Sequence, residues 1–187
     1  MQIDTARLRL DGLRPQDAEA LFDYRANPNV ARYQSWRPAS VVEAADFIAR
    51  QAGVSLDQSG SWFQRAIRLR EGGGLIGDLG IHMPGDAKGS IEVGISIAPA
   101  FQAQGYASEA LRAVFELVFV GLGRHRIHAS VDPRNVASMA LLRSLGMRQE
   151  AHFRESLWLQ GEWVDDVVFA MLAREWSLTD PLGALSR

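Results

Sequence analysis

Glu92 and the turn Gln102-Ala103-Gln104-Gly105-Tyr106-Ala107-Ser108 are the residues whose types and spacing point to chemistry. Upstream of the turn, Ile91, Val93, Ile95 and Ile97 alternate with Glu92, Gly94, Ser96 and Ala98, the period-2 pattern of a half-buried strand. Pro99 lacks a backbone N–H and ends the ladder. Downstream, Ala110, Leu111, Val114, Leu117 and Val118 form the apolar stripe of a helix. A strand that feeds a small-residue turn at a helix start leaves backbone N–H groups aimed outward, and the helix dipole adds partial positive charge. Such a turn suits a phosphate. A P-loop would need Lys followed by Ser or Thr, and a dinucleotide fingerprint would need three glycines where only Gly105 stands. A pyrophosphate therefore fits; an ordinary strand-to-helix turn, with glycine for clearance, is the alternative.

The elements that must position these residues alternate along the chain. Residues 6–10 read as a first strand and 15–26 as a helix with Pro15 in its first turn, stopped by Asn27-Pro28-Asn29. Ser40-Val41-Val42-Glu43 is a capping box that opens a second helix to about residue 51. Residues 62–70 and 75–82 form a hairpin across Glu71-Gly72-Gly73-Gly74, followed by the 91–97 strand and a helix over 108–120. A strand at 126–131 precedes a helix capped by Asn135 and ended by Gly146. A strand begins at 147–149, and two more, 155–159 and 163–172, flank the Gln160-Gly161 turn. The expected fold class is α/β. One domain over residues 1–187 holds a mixed sheet of six or seven strands with about four helices, and 176–187 form a loosely ordered tail.

Composition narrows the partners. A chain of 187 residues with 47% hydrophobic and 22% charged residues has the make-up of a soluble globular protein. A net charge of −2 without a basic run gives no field for nucleic acid. No apolar stretch approaches membrane-spanning length, and MQIDTARLRL lacks the apolar core of a signal peptide, so a cytoplasmic location is expected. The absence of cysteine excludes disulfides, thiolate metal sites and an acyl-cysteine intermediate. His82, His125, His128 and His152 show no metal-ligand spacing, and no metal is expected.

Gln102-x-x-Gly105-x-Ala107 resembles the pyrophosphate loop of the GCN5-related N-acetyltransferases (GNAT). Thr5-Ala6-Arg7-Leu8-Arg9-Leu10 is similar to the start of the ribosomal-protein N-terminal acetyltransferase branch, the RimJ/RimL-like proteins. Val131-Asp132-Pro133-Arg134-Asn135-Val136-Ala137-Ser138 and Leu145-Gly146-Met147 resemble that branch's Asn-x-x-Ser helix and Gly-Phe turn, and the segment with Trp163 and Asp165-Asp166-Val167 its terminal strand pair. The match runs from about residue 3 to residue 175.

The resemblance implies acetyl transfer from acetyl-CoA directly to an amine, and a sheet splayed between the fourth and fifth strands. An alkylammonium has a pKa near ~10, so the nucleophile must first lose a proton. In the family the strand bearing Glu92 borders the acceptor pocket, which makes Glu92 the candidate base; a solvated carboxylate or the partner of a basic side chain is the alternative. Resemblance further implies that Asn135 bonds the pantetheine arm and Ser138 donates to the departing sulfur, although Asn135 also reads as a simple cap and Ser138 as a capping-turn hydroxyl. It places the oxyanion donor among the backbone N–H groups of 95–98, which makes Ile95, Ile97 and Ala98 donor-binding along with Gln102 to Ser108. Tyr33 and Trp36 lie where family members shape the acceptor site, and His82 is the histidine closest to it in this reading.

The acceptor stays open. Some members of the branch carry a carboxylate on the first strand of the last hairpin, where this chain has Trp158, with Glu155 and Glu162 only nearby. Glu92, Glu155, Glu162 and Asp165 would together suit a cationic amine. Three readings remain: an N-acetyltransferase acting on a protein N-terminus or a small amine, an enzyme of the aminoglycoside or polyamine type, and a non-catalytic acyl-CoA sensor. The last hairpin leaves room for a homodimer.

Overall fold

Strand Ser90–Ile97 (β5) lies near the middle of an eight-stranded sheet, and its neighbours decide what it can bind. The computed structural model describes residues 1–56, 58–84 and 89–179, the side chains of the last three excepted. Before β5 come β1 (Ile3–Asp4), β2 (Leu8–Asp11), α1 (Ala18–Arg25), α2 (Pro28–Ala31), α3 (Val41–Gln51), β3 (Trp62–Leu69) and β4 (Leu75–His82). After it come α4 (Tyr106–Glu116), β6 (Arg126–Val131), α5 (Val136–Ser144), β7 (Arg148–Leu159), β8 (Glu162–Leu172) and α6 (Ala173–Thr179). The spatial order is β1-β2-β3-β4-β5-β6-β8-β7. All neighbours are antiparallel except β5 and β6. No helix among the described residues is long and apolar enough to cross a membrane.

Among the described residues the strand count exceeds the six or seven expected, and six α-helices replace about four. The two-residue β1 is too short to leave an alternation, and α2 is a single turn capped by Asn27, whose side chain accepts from the Asn29 N–H at 3.0 Å. The segment Asn27-Pro28-Asn29 thus ends one helix by starting another. Residues 148–149 and 155–159 belong to one strand, β7, interrupted by register shifts and by Glu155 at φ +44°, and Met147 lies just before it. Trp176, expected in a loose tail, lies buried in α6, where its indole N–H donates to Glu116 at 2.9 Å. Residues 180–187 lie outside the described residues.

The period-2 alternation of β5 separates two layers. Ile91, Val93 and Ile97 join a core with Ala110, Leu111, Val114, Phe115 and Val118 of α4 and its continuation. Glu92, Gly94 and Ser96 face the other way, toward the side on which α1 and α3 build a smaller cluster from Leu21, Tyr24, Ala44 and Ile48. Burial of these apolar faces, at roughly 25 cal/mol per Å², fixes which β5 side chains face solvent and ligand.

The sheet opens between β5 and β6, the fourth and fifth of the strands legible in the sequence. Their parallel pairing covers only Ser90↔Arg126, Ile91↔Ile127 and Glu92↔His128, whereas β6 stays with β8 along all six residues.

Candidate active site

The splay exposes one edge of β5. The Ala98 N–H donates to the Ile76 carbonyl at 2.8 Å, so by antiparallel alternation 92, 94, 96 and 98 bond toward β4. The backbone groups of Ile95 and Ile97 point instead into the gap, where β6 no longer pairs. The Ile97 carbonyl is taken by the Gln102 side chain at 2.8 Å, which ties the following turn to the strand end.

That turn closes with Gly105 at φ +80°, in the left-handed region, as the residue before α4. The first helical bond runs from Glu109 N–H to the Gly105 carbonyl at 3.0 Å, which leaves the N–H groups of Tyr106, Ala107 and Ser108 without helical acceptors. Arg7 braces the turn from outside. Its guanidinium donates to the Gln104 carbonyl at 3.0 Å and to Glu109 at 2.7 Å, and lies 4.4 Å from the Tyr106 ring centroid. The Thr5 hydroxyl also donates to Glu109, at 2.6 Å. These bonds hold the Glu109 carboxyl below its ordinary value against the burial that pushes it up.

Two cavities meet at the splay. One, of about 480 Å³, runs from Asn29 and Val30 past Ile95, Ser96 and Ile97 to Gln102, Ala103, Gly105, Tyr106, Ala107 and Ser108. The other, of about 300 Å³, is walled by Glu92, Gly94 and Trp62 on one side and by Leu157, Trp158 and Asp165 of the last hairpin on the other. Tyr33, Gln34, Ile95, Asn135, Ser138 and Leu141 line both. Asn135 caps α5 by accepting from the Ser138 N–H at 3.1 Å, which leaves its side-chain amide N–H groups for a ligand. The Ser96 hydroxyl, in a residue 5% exposed, has no partner among the described residues. A polar ligand atom in the first cavity would relieve that unmet bond.

The family profile described as "Acetyltransferase (GNAT) domain" matches residues 7–148. The chain belongs to the GNAT acetyltransferases. It is 31% identical to the uncharacterized N-acetyltransferase p20 of Bacillus licheniformis over 92% of this chain and 97% of that one. Over 46% of this chain and 44% of the relative, it is 33% identical to the [ribosomal protein uS5]-alanine N-acetyltransferase of Escherichia coli strain K12. The crystal structure of a GNAT-family acetyltransferase from Bacillus anthracis superposes with a TM-score of 0.84 at 26% identity, covering 94% of this chain and 100% of that one. The protein is an acetyl-CoA-dependent acyltransferase with the α/β GNAT fold.

Within this GNAT domain the residues singled out in the sequence separate cleanly. Ile95, Ile97, Gln102, Ala103, Gly105, Tyr106, Ala107, Ser108 and Asn135 line the larger cavity, and Glu92 lines the smaller. Ala98 and Gln104 line neither. The Ala98 N–H is spent on Ile76, and Gln104 braces the turn through Arg7 and through its own side chain on the Ala100 carbonyl at 2.8 Å. Tyr33 lines both cavities and donates its hydroxyl to the Arg134 carbonyl at 3.2 Å. Trp36 lines neither: it stacks on Phe47 with centroids 4.4 Å apart and donates its N–H to Glu43 at 3.1 Å. His82 sits behind the wall, its Nδ1 3.4 Å from Glu92 Oε2. Glu155 and Glu162 do not line the smaller cavity; Glu162 pairs with Arg134 at 2.8 Å.

Trp62 and Trp158 wall the smaller cavity, and Ser96 and Arg7 join the site without having been singled out for it. Trp62 lies across Gly80 and Gly94, where an added Cβ would come within 2.6 Å and 3.7 Å of its ring. A glycine on each of two adjacent strands at paired positions, Gly80↔Gly94, is the signal that a flat side chain from a third strand crosses there.

Proposed function

We propose that the chain transfers acetyl from acetyl-CoA directly to a cationic primary amine, both substrates being bound together. The observation that carries this reading is the junction of the two cavities at Ile95, Asn135 and Ser138, which gives a donor and an acceptor one shared wall. The N–H groups of the 103–108 turn hold the pyrophosphate, and the free edge of β5 with the Asn135 amide aligns the pantetheine arm. The Ile95 N–H stabilises the oxyanion, and the Ser138 hydroxyl donates to the departing sulfur. Glu92 takes the proton that makes the amine nucleophilic. Glu92 and Asp165 supply negative charge, and Trp62 and Trp158 supply aromatic faces, a combination suited to an ammonium group.

Free-thiol release from acetyl-CoA against peptides with varied N-termini, polyamines, aminoglycosides and amino acids tests this. An alanine-starting peptide belongs on the panel because the uS5 relative carries that specificity in its name. Release with one amine class is the expected result. Tight acetyl-CoA binding with no release across the panel would favour the sensor reading, and no acetyl-CoA binding would overturn the proposal.

A further inference from the structure

Glu92 cannot act twice unless its proton leaves. The overall reaction is R–NH₃⁺ + CH₃CO–S–CoA → R–NH–CO–CH₃ + CoA–SH + H⁺. The ammonium gives one proton to the carboxylate, the amine forms the new C–N bond as the C–S bond breaks, and the second N–H proton of the adduct goes to the thiolate. One proton per turnover must pass from the Glu92 carboxylic acid to solvent.

The sheet register places two imidazoles beside that carboxylate. Trp62↔His82, His82↔Glu92 and Glu92↔His128 are successive cross-strand pairs, so one row on one face runs Trp62, His82, Glu92, His128 across β3, β4, β5 and β6. It is the last paired row of β5 and β6 before the splay. Glu92 Oε2 lies 3.4 Å from His82 Nδ1 and 4.0 Å from His128 Nε2. The two histidines are held differently. His82 stacks on Trp62 with centroids 5.0 Å apart and planes at 18°. His128 has the Ser90 hydroxyl 3.2 Å from its other ring nitrogen, Nδ1.

We propose that His128 takes the proton from the Glu92 carboxylic acid and releases it to solvent on the Ser90 side, while His82, fixed by Trp62, is a positioning residue for the carboxylate. This rests on the reading of Glu92 as the base. A carboxylic acid donates readily to a neutral imidazole, their ordinary pKa values being about 4.3 and about 6.5. At 4.0 Å the transfer needs one bridging water or a small side-chain rotation. Burial pushes the His128 imidazole below its ordinary value, the Glu92 charge opposes this, and Arg126 and His82 push it further down. His128 is therefore neutral, and ready to accept, at neutral pH. The side chains of Glu92, His82 and His128 are each about a fifth to a quarter exposed, which gives the proton its way out.

Histidine NMR titration and kinetics together test the relay. In Glu92→Gln, the His128 midpoint is expected about one pH unit lower than in wild type, because the carboxylate that favours the imidazolium is gone. An unmoved midpoint overturns the coupling. With acetyl-CoA and the amine that gives thiol release, His128→Gln is expected to lower kcat about tenfold at neutral pH, with KM for acetyl-CoA unchanged and added imidazole restoring turnover. Wild-type kcat and pH profile in His128→Gln, alongside a slow Glu92→Gln, would overturn the relay and leave the base in place. Full activity in Glu92→Gln would remove both.

Discussion

In the proposed reading Gly105 serves the donor and Glu92 the acceptor, and each is replaceable in a way that isolates its part. Gly105 holds φ +80°, and an added Cβ would lie 3.3 Å from the Arg7 guanidinium. Gly105→Ala is expected to weaken acetyl-CoA binding severalfold through backbone strain of about 1 kcal/mol, and Gly105→Glu to abolish it by setting a carboxylate where the pyrophosphate belongs. Calorimetric affinity equal to wild type in Gly105→Glu would refute the assignment of the turn. Glu92→Gln is expected to lower kcat about 100-fold at pH 7, with the deficit narrowing as pH rises and the amine deprotonates unaided. A constant mutant-to-wild-type ratio across pH would take Glu92 out of the base role. Both residues were legible because local pattern exposes them: a glycine ahead of an apolar stripe, and a carboxylate on the polar phase of a strand. Ser96 and Arg7 were not. Each owes its place to a pairing with a strand or helix distant in sequence, and a single chain read locally does not state its register.

At the level of elements, the turn before α4 is held from outside by the N-terminal strand pair. Glu109, in the first turn of α4, accepts from the Thr5 hydroxyl, the Arg7 N–H at 2.8 Å and the Arg7 guanidinium. This gives the Thr-x-Arg-Leu pattern a physical task that its spacing alone did not reveal. Because the folded Glu109 pKa lies below its ordinary value, the clamp's contribution is fully present above that ordinary value and is lost as pH falls through the folded pKa. The Arg7 side chain is 46% exposed, so the contribution is screened to about 0.5–1 kcal/mol. Denaturant unfolding of wild type and Glu109→Gln should therefore differ by that amount at pH 6–7 and converge in acid; a gap that persists at pH 2 would mean the carboxylate charge is not its source. Element boundaries were readable wherever a period ran for more than one turn or four residues, as in α3, α4 and β5. They failed at β1, too short to show a period, and along β7, where Glu155 breaks the alternation and divides one strand into two apparent ones.

Across the whole molecule, the sheet is joined to α1 by charge as well as by apolar contact. Asp78 of β4 is 0% exposed and accepts from the Tyr24 hydroxyl at 2.6 Å, from Arg25 Nε at 3.0 Å and Nη2, and from the Gln64 side chain. A carboxylate at that depth is tolerable only because three side chains satisfy it. The same burial, with the Asp78 charge beside it, pushes the Tyr24 hydroxyl well above its ordinary value, so the phenol remains a donor throughout the working pH range. Removing the acceptor alone strands the buried Arg25 guanidinium. Asp78→Ala is therefore expected to cost about 3–5 kcal/mol, which for a chain of this size lowers Tm by roughly 10 °C. Replacing both ions, Asp78→Leu with Arg25→Met, should recover part of that loss but not all of it, since Tyr24 and Gln64 still lose their acceptor. Calorimetric melting of the three proteins decides the matter. A Tm for Asp78→Ala within 2 °C of wild type would mean that the junction of α1 with the sheet is carried by Leu21 and its apolar neighbours, with the buried ions incidental to it.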